Sequence, residues 1–322
     1  MIRMLQRIGL DTFVMSIGLC ILAAYIWPEV GMDRQPVSLG DVAAWGVSVI
    51  FFFYGLRLSP ELKNYRLHLL VHFSTFVMFP LLVLAVMRFV SVAPESTRYY
   101  VMLGIFFLAA LPSTVSSSVV MVSMAGGNIP AAIFNASVSS LMGIFLTPLW
   151  MSIYVNAQTG GYPVGEIFVK LVLQVLVPVC IGLALNRRFG KFAESRGRTL
   201  KIFDQAVILL IIYTSFCQSF HDRMFDGFSA RGLLLLVAAM VVLFFAAYGV
   251  IYVACRAMNF NREDTITALF CGSKKSLVHG SVMSKVIFAN PAIAGVVLLP
   301  TMIYHAAQLV IVSAIAKKIS IK

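Results

Sequence analysis

Two adjacent lysines, Lys274 and Lys275, lie in the middle of an apolar stretch that runs from Thr265 to Ala289 and is long enough to cross a membrane. No acidic residue within this stretch can pair with them. A charged side chain at the centre of a bilayer costs about 2.5–3.5 kcal/mol, and such residues almost always face a polar cavity where they meet a substrate, an ion or a counter-charge. We therefore interpret the lysine pair as the main functional signal of the chain.

The lysine pair needs a source of negative potential, and the sequence is compatible with three. Helices that end inside the membrane would offer carbonyl dipoles, and an ammonium held there would replace a bound sodium ion. The lysines could instead bind an anionic substrate directly. In the third arrangement, one buried lysine would release and regain a proton during transport, which would couple transport to protons. Neighbouring residues on a helix point about 100° apart, so we expect the two lysines to have different roles.

Polar residues around the lysines and in two earlier segments are the candidate partners. We predict a substrate-binding or ion-binding site, without a metal cofactor, that is formed by Ser116, Ser117, Ser118, Asn135, Ser139, Ser273, Lys274, Lys275, Ser276 and His279. A structural role is the alternative for the serines, because a serine in a membrane helix can bond to a carbonyl of its own helix. Lys275 and His279 are four residues apart and would share one helix face, so we expect His279 to be neutral. His68 is expected at the membrane interface.

The composition indicates a membrane protein with several spans. Hydrophobic residues make up 60% of the 322 residues and charged residues only 12%, about half of the charged fraction of a typical soluble domain. The formal net charge of +12 does not indicate nucleic-acid binding, because the basic residues fall in alternate loops. The five cysteines have no metal-binding spacing, so we expect them to be free and to pack as small buried groups.

Catalytic motifs are missing from the sequence. Neither H-E-x-x-H nor G-x-S-x-G occurs, and no pair of intramembrane aspartates is present. The string Gly272–Ser276 resembles a phosphate-binding loop only in part, because Lys274 stands where that loop needs a glycine. We therefore do not expect an enzyme.

Apolar segments of about 20 residues can cross a bilayer as helices. On this basis we predict an all-α polytopic fold with ten transmembrane helices, at approximately 10–29, 41–57, 67–90, 99–125, 130–155, 166–186, 203–220, 232–256, 264–289 and 292–316. The first segment follows two arginines but lacks a small-residue cleavage site, so we expect it to be retained as a span. Most other basic residues lie on the side of the two chain ends, which predicts cytoplasmic termini.

The predicted spans form two groups of five, in residues 1–160 and 161–322, on either side of a basic loop from Asn186 to Lys201. An odd number of spans in each group would make the groups inverted repeats. The fourth span of each group is interrupted by polar residues, Pro112–Ser118 in the first and Gly272–Ser276 in the second. Interrupted spans at matching positions are typical of the binding site of a secondary transporter.

The interrupted spans and their surroundings resemble the SBF-like branch of the bile acid:sodium symporter superfamily. The resemblance covers essentially the whole chain and rests on Leu111-Pro112-Ser113-Thr114-Val115-Ser116-Ser117-Ser118, Met124-Ala125-Gly126-Gly127-Asn128, Leu146-Thr147-Pro148, Phe270-Cys271-Gly272-Ser273-Lys274-Lys275-Ser276-Leu277 and Leu299-Pro300-Thr301-Met302-Ile303-Tyr304-His305. It implies a panel domain of spans one, two, six and seven, and a core domain of the other six spans in which the interrupted helices cross. It also implies alternating access, an organic anion as cargo and sodium as the usual driving ion.

This sequence departs from the sodium-coupled members of that superfamily at the ninth span. Those members carry a glutamate, and a glutamine a few residues later, that ligate two sodium ions, whereas this chain has Cys271, Gly272, Lys274 and Lys275 there. Serine, Ser117 or Ser118, also replaces the asparagine of their fourth span. The coupling ion therefore stays open between sodium and protons.

Taken together, these features predict a secondary transporter of a small organic anion. The alternative is a channel or a non-transporting regulator of ion homeostasis, calcium in particular, which the resemblance to eukaryotic relatives leaves open. Resemblance to bacterial members implies the cell inner membrane, with membrane lipids and the anion as partners and no nucleic acid. We expect a monomer.

Overall fold

The computed structural model of the chain describes residues 12–32, 38–56, 64–90, 96–114, 116–159, 169, 172–226, 229–288 and 290–320, and within these ranges the ordered elements are helices without a strand. The helices are α1 (Thr12–Ile26), α2 (Leu39–Leu56), α3 (Tyr65–Met87), α4 (Thr97–Ala110), α5 (Ser116–Met124), α6 (Ile129–Thr159), α7 (Val172–Ser195), α8 (Gly197–His221), α9 (Ala230–Ala257), α10 (Arg262–Gly272), α11 (Leu277–Ile287) and α12 (Pro291–Ser320).

Seven helices of the described ranges, α2, α3, α6, α7, α8, α9 and α12, contain segments long and apolar enough to cross a membrane. Shorter apolar helical segments occupy Met15–Ile26 in α1 and the whole of α4. The predicted all-helical, multi-pass membrane fold is confirmed, while the arrangement of ten spans in inverted repeats stays a prediction.

Two of the predicted spans are interrupted within the segments that the sequence indicated, but the breaks are shorter than predicted, because Ser116–Ser118 and Gly272 lie in helices. The first break lies between α4 and α5, where the structure describes residues 111–114. The second break, Ser273–Ser276, lies between α10 and α11. In each case the break replaces about one helical turn, so that two helix ends lie inside the protein and leave backbone groups without partners in their own helix. Gly126, at a φ of 70°, then turns the chain from α5 into α6.

The predicted basic loop from Asn186 to Lys201 is wrong. Helix α7 continues through it to Ser195, and α8 begins at Gly197, so only Arg196 lies between the helices. The segment is polar but contains no proline, and its apolar side chains recur at helical spacing, which favours a helix that extends beyond the apolar stretch. Asn186 bonds to the carbonyl of Leu56 at 2.7 Å, which fixes this extension against the end of α2.

Helix α8 packs against α1, α2 and α12, and α2 packs along α7. The closest approach joins α2 to α7 at Gly55 and Gly182, where a Cβ on either residue would collide with a carbonyl oxygen of the facing helix. Small residues at such crossings let helix backbones pack closely in membranes. All five cysteines are free as expected, but Cys180 is exposed and not buried.

Candidate functional site

The two helix breaks lie against each other and complete each other's hydrogen bonds. The backbone N–H of Ser276 donates to the carbonyl of Pro112 at 2.9 Å. In the opposite direction, the hydroxyl of Ser113 donates to the carbonyl of Cys271 at 2.5 Å. The carboxyl ends of α4 and α10 therefore meet where both segments of the chain are non-helical.

Lys275 extends from the second break into a ring of backbone carbonyls. Its Nζ lies 2.7 Å from the carbonyl oxygen of Thr75, 2.7 Å from that of Ala109 and 2.9 Å from that of Leu111. The same nitrogen lies 4.2 Å from the ring centroid of Phe79. The side chain is wholly buried, and its three acceptors match the three hydrogens of an ammonium group.

The carbonyl of Thr75 is available because of the sequence of α3. A π-helical turn spans Ser74–Met78, and within it the N–H of Phe79 bonds to the carbonyl of Ser74. The next residue, Pro80, has no N–H to offer, so Thr75 lacks a partner within its own helix. The carbonyl of Phe76 also lacks its usual helical donor, because that donor would be the N–H of residue 80. The indole N–H of Trp150 on α6 bonds to this carbonyl instead, at 2.7 Å.

The carbonyls of Ala109 and Leu111 are available because α4 ends beside Pro112. The N–H of Ser113, which would bond to Ala109 in a continuous helix, bonds instead to the hydroxyl of Ser139 at 2.9 Å. This bond gives Ser139, which the sequence analysis selected, a role in keeping the helix open. The chain therefore exposes both oxygens to Lys275 through its own local structure.

The backbone on either side of the lysine pair is held by α12. Gln308 accepts a bond from the N–H of Lys275 and donates one to its carbonyl, both at 2.9 Å. Tyr304 donates to the carbonyl of Ser273 at 2.7 Å. The hydroxyl of Ser273 donates to the carbonyl of Leu269 in the preceding helix, α10, which is the structural role considered as an alternative.

Lys274 has a very different environment. Its side chain is also wholly buried, but among the described residues its Nζ makes one hydrogen bond, to the hydroxyl of Ser117 at 2.8 Å. Ser117 and Ser118 both bond to Thr114, at 2.9 and 2.7 Å, so these hydroxyls form one cluster at the start of α5. The side chain of Ser116, a third predicted site residue, lies outside the part that the structure describes.

The expectation that Lys275 and His279 share a helix face is wrong. Lys274 and Lys275 lie in the non-helical break, and α11 begins only at Leu277. Ser276 instead acts as the N-cap of α11, since its hydroxyl accepts a bond from the N–H of His279 at 3.3 Å. The same hydroxyl lies 3.0 Å from Nδ1 of His279, so the cap also orients the imidazole ring.

Polar groups that lack partners lie near the boundary with α2. Nε2 of His279 is buried without a hydrogen bond among the described residues, and its ring packs against Phe51 and Tyr54. The Nδ2 group of Asn135 is also buried, and it makes no hydrogen bond within the ranges that the structure describes. Tyr54 bonds to the carbonyl of Ala136 at 3.4 Å, so α2 contacts the segments that carry both groups.

His68 is not at an interface, contrary to expectation. It is buried, lies 2.9 Å from the amide oxygen of Asn135 and packs on the ring of Phe134. The interface assignment rested on its position near the start of a span, and hydropathy alone does not indicate which side of a helix faces the protein.

The sequence did not lead us to a buried carboxylate, that of Asp264. Its carboxylate accepts bonds from Asn64 at 2.6 Å and Asn128 at 2.9 Å, and its N–H donates to Asn261 at 2.7 Å. These asparagines immediately precede α3, α6 and α10. Asn261 followed by an acidic residue three positions later is a typical start of a helix, which was the available signal.

Neither lysine of the pair meets a carboxylate among the described residues. A cavity of about 200 Å³ between α2, α8 and α11 is lined by residues that include Asp41, Gln218 and Lys285, and lies apart from the breaks. Lys285 donates there to the carbonyl of Gly40, which links the end of α11 to the start of α2. Since both side chains of the lysine pair are wholly buried, the pair is enclosed in this conformation.

Comparison with known proteins agrees with this architecture. The model of the SBF-like CPA transporter family matches residues 11–320. By class, the chain is thus a multi-pass membrane transporter and not an enzyme. It belongs to the SBF-like CPA transporter family, so the resemblance inferred from the two breaks is confirmed.

Similar proteins occur in bacteria and in animals. The chain is 39% identical over 315 residues to "Uncharacterized protein PA2026" of Pseudomonas aeruginosa, covering 96% of this chain and 92% of that protein. It is 34% identical over 314 residues to "Putative symporter YfeH" of Escherichia coli, again covering 96% and 92%. It is 30% identical over 325 residues to "Sodium/bile acid cotransporter 7" of Rattus norvegicus, covering 98% and 94%.

Proposed function

We propose that this chain is a secondary active transporter that carries a small organic anion by alternating access, and that Lys274 contacts the anion. One observation supports this most directly. The ammonium of Lys274 is buried, yet among the described residues a single hydroxyl accepts a bond from it, whereas an ammonium can donate three. The remaining donors suit a carboxylate, sulfate or phosphate group on a substrate, since charge-assisted bonds to such groups are strong.

The fold proposed for this function has ten spans in two inverted repeats of five. The two interrupted helix pairs, α4 with α5 and α10 with α11, each come fourth in their half of the chain and are followed by a long helix, α6 or α12. The packing of α8 against α1 and α2, and of α2 along α7, agrees with a panel domain, and the remaining helices would form the core. Both termini would face the cytoplasm across the bacterial inner membrane, and the protein would work as a monomer among membrane lipids.

The substrate would enter between α2 and the helix breaks. Near this boundary, His279 and Asn135 carry buried polar atoms that have no partner in the part of the chain that the structure describes, and a substrate would supply their partners. The aromatic rings of Phe51 and Tyr54 on α2 would contact apolar parts of the same molecule. Sulfonated or carboxylated organic anions combine these two properties, in keeping with the word "bile acid" in the name of the rat relative.

The coupling ion is a separate part of the proposal. The rat relative is named a sodium cotransporter, but the second break of this chain offers no carboxylate to ligate sodium. We expect the anion to be driven by protons, or by sodium bound outside the breaks.

The test is uptake by proteoliposomes of radiolabelled anions from three classes: a bile acid, an aliphatic dicarboxylate and an aromatic carboxylate. The wild-type protein should take up at least one class with saturation and counterflow. Lys274→Gln should reduce that uptake at least about tenfold, because a bond to a charged group contributes roughly 1.5–3 kcal/mol. Each assay is run with an imposed sodium gradient, with an imposed proton gradient and with neither.

The matched control is Lys191→Gln, which makes the same change at an exposed lysine of α7. It should leave uptake unchanged. Uptake by Lys274→Gln at the wild-type rate would show that Lys274 does not contact the transported anion. Flux that neither saturates nor supports counterflow would identify a channel.

A further inference from the structure

The ammonium of Lys275 lies in the type of environment that proteins build for a free cation. Carbonyl oxygens of Thr75, Ala109 and Leu111 surround it at 2.7–2.9 Å, and the face of Phe79 covers it. Rings of backbone carbonyls replace the hydration shell of alkali cations in ion-conducting proteins. An aromatic face adds further attraction for a cation.

The three oxygens are turned toward this position by the backbone and not by the lysine. The π-turn before Pro80 deprives Thr75 of a helical partner, and the bond from Ser113 to Ser139 does the same for Ala109. Leu111 lies in the break itself. Because a buried carbonyl without a partner costs about 1–3 kcal/mol, these three converging oxygens need a hydrogen-bond donor or a cation between them.

We propose that the carbonyl cage of Thr75, Ala109 and Leu111 is a monovalent cation site that Lys275 occupies permanently with its own ammonium. Neutral carbonyl ligands without a carboxylate favour a singly charged ion, since a divalent ion would normally require acidic oxygens. Shortening the side chain should therefore turn the cage into a binding site for sodium, potassium or an alkylammonium ion. This inference does not depend on what the protein transports.

The experiment measures thermal unfolding of the purified full-length protein in detergent. Sodium, potassium, ammonium or methylammonium chloride is titrated at constant ionic strength against choline chloride. A ligand that binds only the folded state stabilises it in proportion to the logarithm of its concentration. The Tm of Lys275→Ala should rise by about 5 °C over a hundredfold increase in at least one of these cations.

Two controls separate the cage from general salt effects. The Tm of the wild-type protein should not depend on which cation is present, because the cage is already filled. Lys274→Ala should behave like the wild type, since its ammonium donates to a hydroxyl and not to the cage.

A third variant keeps the test decisive if Lys275→Ala does not fold. Lys275→Gln keeps a polar side chain at this position and removes the ammonium, and its amide oxygen can serve as a further ligand, so it should fold and respond to sodium. The proposal is wrong if neither variant responds to any of the four cations, or if Lys274→Ala responds as strongly as they do. Because no transport is measured, this result is separate from the success or failure of the anion assay.

Discussion

Two helices, α4 and α10, end inside the protein at the same crossing, but their exposed carbonyls are satisfied in different ways. At the end of α4, the ammonium of Lys275 bonds to Ala109 and Leu111, and Thr147 bonds to Ala110. At the end of α10, neutral hydroxyls are the donors. Ser118 donates to the carbonyl of Phe270, Ser113 to that of Cys271 and Tyr304 to that of Ser273.

The difference follows from a third helix. At the end of α4, the carbonyl of Thr75 from α3 lies beside those of Ala109 and Leu111. One ammonium therefore donates to all three oxygens. At α10 the carbonyls are spread along the chain and each takes its own hydroxyl. The ammonium of Lys275 is thus fully used by the fold, whereas that of Lys274 bonds to one hydroxyl among the described residues.

The largest expected effect distinguishes the two lysines by stability. Lys275→Met should lower the free energy of unfolding by about 3 kcal/mol or more, because three buried carbonyls lose their donor. Lys274→Met should cost less than about 1 kcal/mol, since only one partly exposed hydroxyl loses a bond. Chemical unfolding in detergent micelles measures both. Equal losses would mean that the cage contributes nothing particular to the fold.

An intermediate effect is expected at the π-turn that supplies the third oxygen. Trp150→Phe removes the indole donor from the carbonyl of Phe76 and should cost about 2 kcal/mol. Trp45→Phe is the matched control, because Trp45 is 77% exposed and should tolerate the change. If both tryptophan variants unfold alike, the π-turn does not need this support.

The smallest effect is expected at the neutral end of α10. Ser113→Ala removes one hydroxyl bond to Cys271 and should cost about 1 kcal/mol. Ser281 offers the control, because its hydroxyl is buried without a partner among the described residues, and Ser281→Ala should be neutral or slightly stabilising. A Ser113→Ala variant as damaging as Lys275→Met would erase the distinction between the charged and neutral helix ends.

Much of this architecture could be predicted from the sequence, because hydropathy reports membrane-length helices and Pro112 and Gly272 mark the breaks. The contacts of Lys275 could not, since they depend on a carbonyl that Pro80 frees some 200 residues earlier in the chain. The partners of the Asp264 carboxylate were also beyond reach, because Asn64 and Asn128 precede helices that are distant in the sequence. The helical course of residues 186–195 was missed because polarity was taken for a loop.

The hydrogen bonds of Asp264 restrict how three helices can move relative to one another. Its carboxylate accepts bonds from Asn64 and Asn128, which precede α3 and α6, and Asp264 itself lies in the first turn of α10. Separating any of these helices would leave a buried charge short of donors, at a cost of several kcal/mol. The three helices should therefore travel as one rigid body in any rearrangement, and their first turns should exchange amide hydrogens more slowly than other helix starts.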